Sequence, residues 1–165
     1  CKALQKELEA ELNKESVRKF KEEAASLLKE GKFEAALDRY NECLKLLDAA
    51  DVLEYLAILQ NRCVCYLKLQ RWDDIVSTAI RSLKIIHNQQ NRLVSFDNAK
   101  VDRDQKEKLR EYEVRILVRR ANAYLNLGQI YNAKGDLEKA LQLNPDNASI
   151  KSELEKVELA LQSKN

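Results

Sequence analysis

Residues Glu113–Pro145, EVRILVRRANAYLNLGQIYNAKGDLEKALQLNP, read as two helical patterns that meet at Gly128 and are closed by Pro145. Ala121, Tyr124, Gly128, Ala133, Ala140 and Pro145 fall at the offsets of a helix-turn-helix unit with a period of about 34 residues. A unit of this kind cannot bury its apolar face alone, so siblings are expected upstream. With Gly128 as turn marker, the same apolar offsets recur around Gln70 and Gly31. Four residues before each marker stand Leu27, Tyr66 and Tyr124, and seven before stand Ala24, Cys63 and Ala121. Two after are Phe33, Trp72 and Ile130, five after are Ala36, Ile75 and Ala133, and thirteen after are Leu44, Leu83 and Leu141. Small residues recur where two helices must approach closely, and large ones where a gap must be filled.

These three registers resemble the tetratricopeptide repeat. The resemblance implies an all-α, right-handed α-solenoid of three helix-turn-helix repeats with a C-terminal capping helix. The expected organisation is an N-terminal amphipathic helical extension over 1–15, three repeats over 16–145 with an insertion at about 88–111, and a capping helix and tail over 146–165. In the extension Leu4, Leu8 and Leu12 form a narrow stripe that either docks on the first repeat or belongs to a longer helix. Asn13 and Ser16 are candidate helix starts, though neither completes a capping box. Gly31 and Gln70 are 39 apart, which places extra residues near Asp48–Asp51. Gln70 and Gly128 are 58 apart, about 24 more than the period. The polar run HNQQN, His87 to Asn91, reads as the loop after the second repeat, and Asp102–Val114 as a backward extension of the next helix. Beyond Pro145, Ile150, Leu154, Val157 and Leu161 share a face suited to covering the open end, with Asp146 or Asn147 as cap.

Composition narrows the function. One proline, three glycines and 34% charged residues in 165 suit long amphipathic helices. A net charge of +2 gives no bulk case for nucleic acid or membrane, and no apolar run approaches the ~20 residues of a bilayer span. With no methionine anywhere, the chain reads as a domain of a longer protein, soluble and cytoplasmic. Cys43 and Cys63 fall at small core offsets, and Cys63 and Cys65 point to different sides of a helix, which argues against a metal site. Reduced thiols fit a cytosolic setting. No glycine-rich phosphate cradle and no Ser, His and Asp grouping suggests an enzyme, and no cofactor is expected.

Residues 13, 10, 9 and 6 before each turn marker share one face of the first helix of a pair, the side that lines the hollow in this repeat family. They are Arg18, Lys21, Glu22 and Ala25, then Ala57, Gln60, Asn61 and Val64, then Arg115, Val118, Arg119 and Asn122. Basic and amide donors collected there suit an anionic extended peptide. At these residues the chain resembles the carboxylate-clamp class of tetratricopeptide domains, which bind the Glu-Glu-Val-Asp tails of heat-shock chaperones. The resemblance implies that Lys21, Asn61, Arg115 and Arg119, with Lys68 seven residues after Asn61, hold the terminal carboxylates. Val64 and Leu67 are the apolar neighbours for the peptide's valine. Two positions depart: Ala25 replaces the family's asparagine, and Arg115 stands where lysine is common. The long insertion is similar to that of factors for large-complex or axonemal dynein assembly, which adds a client or assembly partner to the expected partners. The alternative is a scaffold that grips another protein without a clamp. Arg18, Lys19, Arg62 and Arg120 read as plain surface charges, and Trp72 and Tyr124 as packing residues.

Overall fold

The computed structural model describes residues 1–48, 50–93 and 99–164, which form seven α-helices and no strand. They fall into two compact units, Cys1–Gln70 and Arg71–Asn165. The first holds α1 (Lys2–Lys29), α2 (Phe33–Leu46) and α3 (Val52–Lys68), with α1 packed on α2 and α2 on α3. The second holds α4 (Trp72–Leu93), α5 (Ala99–Asn126), α6 (Ile130–Leu143) and α7 (Ala148–Gln162), each packed on the next.

The three turn markers are the only described residues with positive φ: Gly31 at 75°, Gln70 at 55° and Gly128 at 76°. A left-handed residue lets the helix end close on itself. The amide of Lys32 donates to Leu27 O at 2.8 Å and that of Gly31 to Leu28 O at 3.1 Å; Gln129 to Tyr124 O and Gly128 to Leu125 O repeat both distances. This pair of bonds satisfies carbonyls that would otherwise be orphaned and turns the chain back along itself. Glutamine carries a Cβ into the same conformation at Gln70, where glycine would carry none.

The offset pattern is reproduced in burial. Ala24, Cys63 and Ala121, at one offset, and Ala36, Ile75 and Ala133, at another, are all at most 3% exposed. The larger residues at Phe33, Trp72 and Ile130 are half-buried. In α7, Ile150 and Val157 are buried against α6, and the Asn147 side chain accepts the Ile150 amide at 3.1 Å to cap the helix.

One question left open by the sequence is decided and one expectation is corrected. No helix start occurs at Asn13 or Ser16: α1 is one 28-residue helix, and Leu4, Leu8 and Leu12 are 60–68% exposed, so the stripe does not dock on the first repeat. Leucine, glutamate and lysine favour the helix throughout, and nothing in the chain interrupts it. The HNQQN run is the last turns of α4, not a loop. Ile86 and Leu93, seven apart and both buried, continue the apolar face through it, and the polar residues take the other sides. The extra residues before the third turn thus include helix on both sides of 94–98.

Cys43, Cys63 and Cys65 are buried free thiols, and Cys43 Sγ donates to Val17 O at 3.6 Å, tying α2 to α1. Burial pushes the Cys43 and Cys65 thiols up to about 11 from 9.0, and also raises the Tyr40 hydroxyl. An unfolded chain therefore releases thiol protons above pH 9 that the folded chain retains. The stability these thiols contribute is full below pH 9 and lost between about 9 and 11. Urea midpoints should fall across that window, with a shallower slope for Cys43→Ala. Gln70→Gly should raise the midpoint, by about 1 kcal/mol or less in stability.

Candidate functional site: the first helices of the repeats

Within the first unit, Lys21 projects from α1 and Asn61, Val64, Leu67 and Lys68 from α3. Lys21, Asn61 and Val64 are half-buried, whereas Leu67 and Lys68 are exposed. On α3, Glu54, Asn61 and Lys68 are spaced by seven residues and so form one stripe running acid, amide, cation. Lys21 Nζ lies 2.7 Å from Glu54 Oε1, and this pair fixes α1 and α3 to the same stripe. Glu54 escaped the sequence reading because it lies outside the four offsets considered, although its spacing from Asn61 was a signal. Gln60, expected on the open face, is instead buried at 7% exposure.

Arg18, the other cation at these offsets on α1, is engaged along its own helix. Arg18 bonds Glu15 and also donates to Glu22 Oε1 at 2.7 Å, so it spends its guanidinium on its own helix. Ala25 is exposed and offers no donor. Arg62, read as a surface charge, is half-buried: its Nη2 donates to Tyr66 Oη at 2.8 Å and its guanidinium stacks on that ring at 5.6 Å.

In the second unit Arg115 and Arg119 stand one turn apart on the same side of α5, Arg115 exposed and Arg119 half-buried. Their neighbour Arg120 is not a plain surface charge. It makes a forked pair with Asp136 on α6, Nε to Oδ2 at 2.8 Å and Nη2 to Oδ1 at 2.7 Å, with side-chain exposures of 18% and 9%. The carboxylate holds the Arg120 guanidinium above its usual range, and the ring of Tyr124 lies 5.6 Å away. Buried Glu113 is a second node. His87 Nε2 lies 3.0 Å from its Oε1, Lys139 Nζ 3.8 Å from the same oxygen, and Gln90 Nε2 donates to Oε2 at 3.4 Å. His87 thus joins α4 to α5 rather than lying in a loop. Sequence spacing gave no warning of either node, because each joins different helices.

These helix pairs, left-handed turns and buried small residues are those of a tetratricopeptide repeat domain, a class of protein-interaction modules. Residues 114–147 match the tetratricopeptide repeat family directly, and the helical fold of the chain matches that of solved tetratricopeptide domains. Human sperm-associated antigen 1 is 30% identical over 145 residues, 88% of this chain, but the chain spans only 12% of that protein's length. The first tetratricopeptide domain of Spaghetti (RPAP3), solved with the HSP90 peptide SRMEEVD, superposes with a TM-score of 0.62 at 23% identity, covering 90% of this chain and 94% of that one. The second such domain of human RPAP3, solved with the HSP70 peptide SGPTIEEVD, gives 0.60 at 23% identity over 88% and 98%. Among the described residues, no helix is long and apolar enough to cross a membrane.

Asp136→Ala would leave the half-enclosed Arg120 charge uncompensated and should cost about 3 kcal/mol in urea denaturation. The paired change Arg120→Met with Asp136→Leu should recover most of that loss.

Proposed function

We propose that this domain captures the acidic C-terminal end of a partner, of the Glu-Glu-Val-Asp type carried by heat-shock chaperones. In that role it is a cytoplasmic co-chaperone or assembly-factor module, tethering a chaperone beside a client or assembly partner. The observation that carries this reading is the set of donors at matched offsets: Lys21 and Asn61 in the first unit, Arg115 and Arg119 in the second. They stand on a fold shared with domains solved with HSP90 and HSP70 peptides. Lysine and arginine are pure donors, and the asparagine amide supplies two more, which suits the acceptor-only oxygens of a chain end. Val64 and Leu67, one turn apart on α3, take the peptide's valine, and exposed Lys68 adds charge.

Affinity is set by what is missing as well as what is present. The donor lost at Ala25 corresponds to about 1.5–3 kcal/mol, or one to two decades in Kd. A scaffold role without a clamp is favoured by one observation, the internal pairing of Lys21 with Glu54.

Calorimetric titration with a peptide ending in Glu-Glu-Val-Asp should give a Kd of micromolar order, about −8 kcal/mol. Amidating the peptide terminus should abolish binding, and Lys21→Ala or Arg119→Ala should each weaken it about ten- to hundredfold. Equal binding of the amidated peptide, or binding indifferent to both substitutions, would overturn the clamp and leave the scaffold.

A further inference from the structure

The inner stripe of α3 begins with an acid where an anion-binding surface would be expected to carry none. Glu54 sits in the first turn of α3, where the positive end of the helix dipole favours a carboxylate whether or not a lysine is near. Lys21 is drawn to it at 2.7 Å. From there Asn61 is two helical turns further along the stripe, a rise of about 10 Å. To share a ligand carboxylate with Asn61, the lysine side chain must leave Glu54 and swing along the helix.

The surroundings act in the same direction. The groove between α1 and the α2–α3 corner is lined by Glu22, Asp48, Asp51 and Glu54 against the cations Lys14, Arg18 and Lys21. Arg18 is already bonded to Glu15 and Glu22. A single incoming carboxylate therefore meets a local excess of negative charge and three cations that are each already paired, Lys14 with Glu11, Arg18 with Glu15 and Glu22, and Lys21 with Glu54.

We propose that Glu54 is a specificity-determining residue of this face, an internal carboxylate that a ligand must displace from Lys21. This rests on the reading that Lys21 contacts the peptide end. The pair is 39% and 32% exposed, so water reaches it and it can exchange, as an enclosed pair would not. Because Glu54 is tethered beside Lys21, an isolated carboxylate competes poorly. A peptide held by further contacts delivers its own carboxylate at a comparable effective concentration. The face thus selects acidic chain ends that bring several anchoring groups and rejects those that bring one.

Glu54→Gln keeps the shape of the side chain and removes its charge. In low salt the variant should bind the free-acid Glu-Glu-Val-Asp peptide about two- to fivefold tighter than the unaltered domain. The gain should disappear when Lys21→Ala is added and be absent with the amidated peptide. Unchanged affinity in Glu54→Gln, or a gain that survives Lys21→Ala, would overturn the proposal. If the unaltered domain binds and Lys21→Ala weakens it while Glu54→Gln has no effect, the gate falls and the clamp stands. If neither the unaltered domain nor Glu54→Gln binds, both fall. Circular dichroism of each variant checks that the helices are intact.

Discussion

Two helix backbones pack closely only where side chains are small, and this constraint fixes the rest of the domain. Ala24, Ala36 and Cys43 are fully buried where α1 and α2 pack, and Ala121, Ala133 and Ala140 where α5 and α6 do. Larger residues there would push the helices apart and open voids along the contact. With the buried side of each helix set, its open side is set too, because a helix turns by a fixed angle per residue. The left-handed residues at Gly31 and Gly128 then return the chain at the pitch this packing needs. The side chains proposed to bind are among those the packing leaves over.

Charge in this domain is of two physical kinds, separated by access to water. Arg120 with Asp136, and Glu113 with His87 and Lys139, bridge helices of the second unit around carboxylates that are at most 9% exposed. Removing one partner from such a group strands the other, so these pairs are structural. The Lys21–Glu54 pair is about one-third exposed on each side and has weaker claims on its members. A ligand can compete for that lysine. It cannot compete for Arg120, whose guanidinium is forked onto Asp136.

The fold itself does not choose the ligand. Domains only 23% identical in sequence share it, so recognition must be argued from individual side chains. In this chain those side chains combine retained donors at Lys21, Asn61, Arg115 and Arg119 with a missing one at Ala25 and an added acid at Glu54. Under the proposed reading, that combination sets this sequence apart from one whose matched offsets are simply basic.

The sequence alone determined the helix pairs, the positions of the turns and which small residues are buried, because these follow from periodicity within each segment. It also marked Asn147 as a candidate cap and the apolar side of α7 for the same local reason. It could not determine that α1 runs unbroken past Ser16, nor that HNQQN stays helical, because local composition allows either outcome and the buried anchors Ile86 and Leu93 decide the second. Nor could it pair Lys21 with Glu54, 33 residues away, or Arg120 with Asp136, 16 residues away. Which charges are free to bind and which are already committed depends on the distance between side chains of different helices. Packing sets that distance, and no repeat period encodes it.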